Sequence, residues 1–115
     1  MAGKINARKK GHAYELDIRD WFKELGWKDA VSSRSESKNM DDKGVDLCYT
    51  PPFNCQMKAV EKLGSIHDIL AKMPNDSNYN LVFHKKNRKG TIVAMTLEDF
   101  REIVQMLISN KIIKL

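Results

Sequence analysis

The sequence has little of what staples or embeds small proteins. It holds two cysteines, Cys48 and Cys55, too few for a disulfide scaffold and without metal-ligand spacing. Its three histidines, His12, His67 and His84, are scattered, and none sits in an H-x-x-x-H pair, which argues against a zinc centre. No apolar run approaches the roughly 18–20 residues needed to span a bilayer. The opening Met1-Ala2-Gly3-Lys4 lacks the apolar stretch of a signal peptide. There is no internal repeat and no low-complexity tract. These absences predict a cytoplasmic protein with no membrane partner.

What is present fits one globular domain spanning residues 1–115. Hydrophobic residues make up 42% and charged residues 30% of the 115, enough for one modest core. The 20 Lys+Arg outnumber the 15 Asp+Glu, a formal charge of +5. The excess is clustered: Lys4, Arg8, Lys9 and Lys10 crowd the N-terminus, and Lys85-Lys86-Asn87-Arg88-Lys89 forms a second group. Separate basic clusters at loops or helix ends are what a phosphate-binding surface requires, although a solvated charged surface looks the same.

Periodicity gives the elements. Tyr14, Ile18, Trp21, Phe22 and Leu25 recur at three- and four-residue intervals, predicting an amphipathic helix from about Ala7 or Lys10 to Leu25, stopped by Gly26. Glu15 lies about 60° off the centre of that stripe, at the border of the buried face. Ala30–Ser33 is a short strand candidate, and Arg34–Gly44 is polar and aperiodic, predicting a mobile loop. Val45–Tyr49 and Phe53–Ala59 read as a hairpin, with Thr50-Pro51-Pro52 in the connection because proline donates no ladder bond. Ser65 to Asp68 has the form of a capping box for a helix that ends at Pro74. Tyr79–His84 and Thr91–Met95 form a second hairpin, with the basic run at its tip. Thr96 caps a final helix, whose Leu97, Phe100, Ile103, Val104 and Leu107 are expected to pack inward. The order α-β-β-β-α-β-β-α implies an α/β domain, a central mixed sheet flanked by helices.

Strand parity then groups the polar residues. Asn54, Gln56 and Lys58 share one face of their strand, opposite Phe53, Cys55, Met57 and Ala59, which read as core. An even hairpin register, such as Thr50 opposite Asn54, sets Asp46 against Lys58 and Cys48 against Gln56, with the two thiols on opposite faces. The first helix is the natural neighbour of the polar side and brings Glu15 to it. Two carboxylates plus an amide oxygen make a hard-oxygen site suited to Mg²⁺, and a lysine beside them can orient or deprotonate an attacking water.

The series Glu15, then Ser32-Ser33-Arg34, then Gly44-Val45-Asp46-Leu47, then Gln56-Met57-Lys58-Ala59 resembles the PD-(D/E)xK nuclease superfamily. Within it the chain looks like the archaeal-type Holliday junction resolvases and their phage-encoded relatives, whose N-terminus Arg8-Lys9-Lys10-Gly11 is also similar to. The motifs cover about residues 8 to 60; the remainder agrees in element order only.

The resemblance implies a restriction-endonuclease-like fold and a homodimeric, structure-selective DNA endonuclease. Such an enzyme resolves four-way junctions with Mg²⁺, or Mn²⁺ in its place, leaving 5′-phosphate and 3′-hydroxyl ends. It implies Asp46 as principal metal ligand, Lys58 as the residue that positions or activates water, and Glu15 completing the metal shell. The Met57 carbonyl would be a further ligand, and Ser33 and Arg34 would contact the scissile region. Lys9, Lys10, Arg8, Lys85, Lys86, Arg88 and Lys89 would hold flanking DNA backbones. Gln56 departs from the pattern, because most relatives carry Glu or Asp there; its amide oxygen would still serve as a metal ligand, with weaker affinity unless Asp41 or Asp42 swings in from the loop. A restriction-type or nicking enzyme of the same fold, or a DNA-binding module without catalysis, are the competing readings.

Overall fold

In the computed structural model of the protein, residues 2–115 are described, with side chains from Lys9 onward, so Lys4 and Arg8 lie outside the described side chains. The chain runs α1 (Ala2–Leu25), β1 (Val31–Ser32), α2 (Ser33–Glu36), α3 (Lys38–Asp42), β2 (Leu47–Cys48), β3 (Phe53–Lys58), α4 (Ile66–Lys72), β4 (Tyr79–Lys86), β5 (Gly90–Ala94) and α5 (Leu97–Ser109). This is an α/β domain with a mixed sheet of order β3-β4-β5 and a smaller sheet of β1 and β2. Strands β3 and β4 run parallel, with Phe53 opposite Tyr79 and Lys58 opposite His84, and α4 lies in the crossover between them. Strands β4 and β5 form the antiparallel hairpin.

The core lies between α1 and one face of the larger sheet. Tyr14 and Phe22 of α1 meet Cys55 and Met57 of β3 and Leu81 and Phe83 of β4, with Ile18, Trp27, Phe53 and Ala59 at the margin. The face read as core from parity is therefore the core. Helix α1 covers that apolar face and not, as expected, the polar one. The polar face is flanked instead by α4, whose Ile69 and Lys72 stand over Gln56 and Lys58. The α1 stripe is also narrower than its sequence suggests, since Trp21 and Leu25 are exposed.

Three further expectations are corrected. The 34–44 loop is two short helices, because Ser32 accepts from the Arg34 N–H and Ser37 from the Met40 N–H, and each hydroxyl starts one turn. The first hairpin is not a continuous ladder. Tyr49 turns to a left-handed φ of 65°, the Phe53 N–H closes back on the Thr50 carbonyl, and β2 pairs with β1 instead. Finally, α5 buries none of its residues: Ile103, Val104 and Leu107 are half-covered, whereas Leu97 is 81% and Phe100 52% exposed.

Candidate active site

Asp46 sits where β3 has no strand partner on its outer side. Its backbone N–H donates to the Cys55 carbonyl at 2.7 Å, and its Oδ2 accepts the Met57 N–H, also at 2.7 Å. The first bond sets Asp46 beside Cys55, so the expected even register with Lys58 opposite does not form. A side-chain oxygen takes the place of the next backbone acceptor, and the ladder ends there. Within a strand, the N–H and C=O of one residue point to the same side, so the Met57 carbonyl faces this same edge. The Ser33 N–H fixes the Asp46 carbonyl at 2.9 Å from the other side.

An edge position is open to both faces of the sheet. Glu15 approaches from the α1 side, Asp41 from α3 and Lys58 from the polar face, each near enough for its charge to act on Asp46. Burial pushes the Asp46 carboxyl up to about 6, the Met57 hydrogen bond opposes that rise, Glu15 and Asp41 add to it, and Lys58 opposes it. A carboxylate held this far from its ordinary range is one that gains from a cation.

Glu15 is 4% exposed. Arg34 Nη2 donates to its Oε1 at 3.0 Å, while Arg34 Nε stands 3.0 Å from Oε2 without the alignment of a hydrogen bond. His12 Nδ1 is 3.7 Å from the same Oε2. Among the described residues Oε2 accepts no hydrogen bond.

Gln56 and Lys58 line a groove of about 250 Å³ with Asp42, Lys43, Gly44, Ile69 and Lys72. The Gln56 amide fits with its nitrogen toward the Gly44 carbonyl and its oxygen toward Lys58 Nζ, both at 3.3 Å. Gly44 has a φ of 78°, and a Cβ there would stand 2.9 Å from the amide, so position 44 requires glycine twice over. Gln56 is thus engaged between loop and lysine, and its oxygen is not turned to Asp46 as a ligand.

The remaining predicted residues divide. Ser33 is fully buried and its Oγ donates to Asp41 Oδ1 at 3.4 Å, so it ties α2 to α3 and has no surface to offer DNA. The two basic clusters, far apart in sequence, become one surface. Lys10 Nζ donates to Asn87 Oδ1 at 2.9 Å, and Lys85 Nζ stands 5.8 Å over the Tyr14 ring. Lys9, Lys86, Arg88 and Lys89 are exposed around that junction. Sequence reasoning missed Lys43 and Lys72, which flank the groove. Each stands alone in sequence, and only the crossover through α4 brings them together.

The donor set fits a Mg²⁺ ion in part. Among the described residues no three acidic, histidine or cysteine side chains converge as ligands. Mg²⁺ is commonly held by one or two carboxylates plus substrate phosphates and waters, which Asp46, Glu15 and the Met57 carbonyl can offer. The buried Glu15 Oε2, which accepts no hydrogen bond, and the burial of the Asp46 carboxyl near Glu15 and Asp41 are the observations on which that fit rests.

No family description, no curated protein and no solved structure matches the chain. Among the described residues no helix is long and apolar enough to cross a membrane.

Proposed function

We propose that the protein is a Mg²⁺-dependent endodeoxyribonuclease of the restriction-endonuclease-like fold, selective for branched DNA and acting on four-way junctions as a homodimer. The observation that carries this reading is Asp46 at the open edge of β3, a buried carboxyl on which Glu15, Asp41 and Lys58 all act. Acids and a lysine converging at a strand edge, beside a basic surface, is the arrangement that phosphodiester hydrolysis needs.

In this mechanism the Lys10–Asn87 junction, with Lys9, Lys85, Lys86, Arg88 and Lys89, holds the DNA backbones by charge and shape. Lys43 and Lys72 draw a strand along the groove. Asp46, Glu15 and the Met57 carbonyl would hold Mg²⁺, which would supply positive charge to neutralise the scissile phosphate. Lys58 orients the attacking water in line with the leaving 3′-oxygen. The partner in the homodimer is a second copy meeting the exposed apolar face of α5, which places two sites for two symmetric cuts.

A synthetic four-way junction with Mg²⁺ tests this, comparing the wild type with Asp46→Ala and Lys58→Ala. Cleavage by the wild type alone is the expected result. Binding by all three with cutting by none would overturn the enzyme reading and leave a DNA-binding module, the alternative favoured by the engagement of Gln56 with Gly44 and Lys58.

A further inference from the structure

Glu15 already faces a cation belonging to the protein itself. Arg34 grips Glu15 with Nη2 and Nε each 3.0 Å from a carboxylate oxygen. The two differ in surroundings: the Glu15 side chain is 5% exposed and the Arg34 side chain 47%. Glu15 is anchored, because it sits next to Tyr14 on a helix locked into the core. Arg34 lies instead on the four-residue helix α2, and its side chain is half exposed at the surface.

We propose that Arg34 is the resident counter-ion of Glu15, which a divalent cation must displace, and that the freed guanidinium then pairs with a DNA phosphate. This deepens the endonuclease reading and rests on it for the identity of the phosphate. A buried carboxylate that stays ionised beside a second acid is costly without a positive neighbour. Without metal, Arg34 supplies it. Its two contacts are unequal: the bond to Oε1 is aligned, whereas Oε2 is buried with Arg34 Nε at 3.0 Å and accepts no hydrogen bond, so a cation reaches it only by displacing the guanidinium. Guanidinium forks fit phosphate oxygens as well as carboxylates, so an Arg34 released at the protein surface keeps a partner only when DNA is present. Metal entry and DNA engagement are thereby coupled through one side chain. Arg34 acts as a positioning residue that keeps Glu15 closed until both arrive.

The test is Mn²⁺ binding to the full chain without DNA, read by the electron paramagnetic resonance of free Mn²⁺, for the wild type, Arg34→Gln, Arg34→Lys and the double variant Glu15→Gln/Arg34→Gln. Removing a cation that faces the site should tighten Mn²⁺ binding in Arg34→Gln by about tenfold or more. The gain should vanish in the double variant, which has no Glu15 charge to expose. Arg34→Lys, which keeps the charge but loses the fork, should fall between the wild type and Arg34→Gln, and it carries the test if the glutamine variant does not fold. Equal or weaker Mn²⁺ binding in both Arg34 variants overturns the proposal. Junction cleavage by the wild type, read separately, distinguishes the two failures. A protein that cuts DNA but whose Mn²⁺ affinity is indifferent to Arg34 loses the counter-ion and keeps the nuclease. A protein that never cuts, yet gains Mn²⁺ affinity without Arg34, keeps the counter-ion.

Discussion

Helices α1 and α5 carry the same kind of apolar stripe and meet opposite ends. In α1 the stripe closes on the sheet, burying Tyr14 and Phe22 and carrying Glu15 down with them. In α5 no residue is buried, and Leu97, Phe100 and Met106 remain open. A stripe records that a face seeks cover; it does not record which cover. The chain has one large sheet with one apolar face, and α1 takes it. The anchored helix holds the candidate site residue Glu15 in a fixed place, whereas the open one keeps its apolar residues at the surface, the face on which the proposed homodimer would form.

The largest effects are expected at the strand edge that α1 supplies with Glu15. On the nuclease reading, Asp46→Ala or Lys58→Ala should lower junction cleavage by roughly 10³-fold or more, measured as initial rate, because the first removes the principal metal ligand and the second the group that orients the attacking water. A loss below about tenfold would mean that the edge of β3 is not the site.

Next in size, Phe22→Ala should cost about 3–5 kcal/mol in denaturant unfolding, as expected for deleting a buried aromatic ring. Phe100→Ala should cost under about 1 kcal/mol in the monomer. Phe100→Glu together with Leu97→Glu should instead shift a dimer to monomer by light scattering. If the two helices cost the same, the contrast between them is false.

A smaller effect belongs to Asp46 itself. Its folded pKa of about 6 exceeds the ordinary 3.8, so the folded state binds the extra proton. In metal-free protein this contribution is therefore fully present below about pH 4 and is lost as pH rises to about 6. Asp46→Asn should flatten that decline and gain on the order of 1–2 kcal/mol at pH 7 by thermal or denaturant unfolding. A pH profile identical to wild type would show that Asp46 is not buried among acids.

The smallest effects are on the basic surface. Lys85→Ala and Arg88→Ala should each weaken DNA binding uniformly across sequences and reduce the slope of log affinity against log salt by about one. An unchanged slope would remove that surface from the interface.

Much of the scaffold was legible because it follows from period and punctuation. The α1 stripe, the core parity of Phe53, Cys55 and Met57, the caps at Ser65 and Thr96, and the 79–95 hairpin all follow from adjacent residues. What was not legible depends on partners distant in sequence. Helices α2 and α3 are too short for an apolar period, so only their serine caps mark them. The register of Asp46 on Cys55 is set by the turn at Tyr49 and by a side chain replacing a backbone acceptor, and alternation cannot report either. The site residues Asp46, Glu15 and Lys58 are brought near one another, yet by a route different from the expected hairpin face. Arg34 was expected on DNA and is found on Glu15.

The seat of Gln56 has a consequence for the choice of residue there. The Gly44 carbonyl asks for a donor and Lys58 asks for an acceptor, and an amide is the one side chain of that length that offers both. A glutamate would set a carboxylate oxygen against the carbonyl and would neutralise the lysine. With glutamine, Lys58 is aimed without being discharged, and its full positive charge stays available to Asp46 and to whatever anion enters the groove. The neutral residue at position 56 thus adds no negative charge to a groove whose cations are Lys43, Lys58 and Lys72.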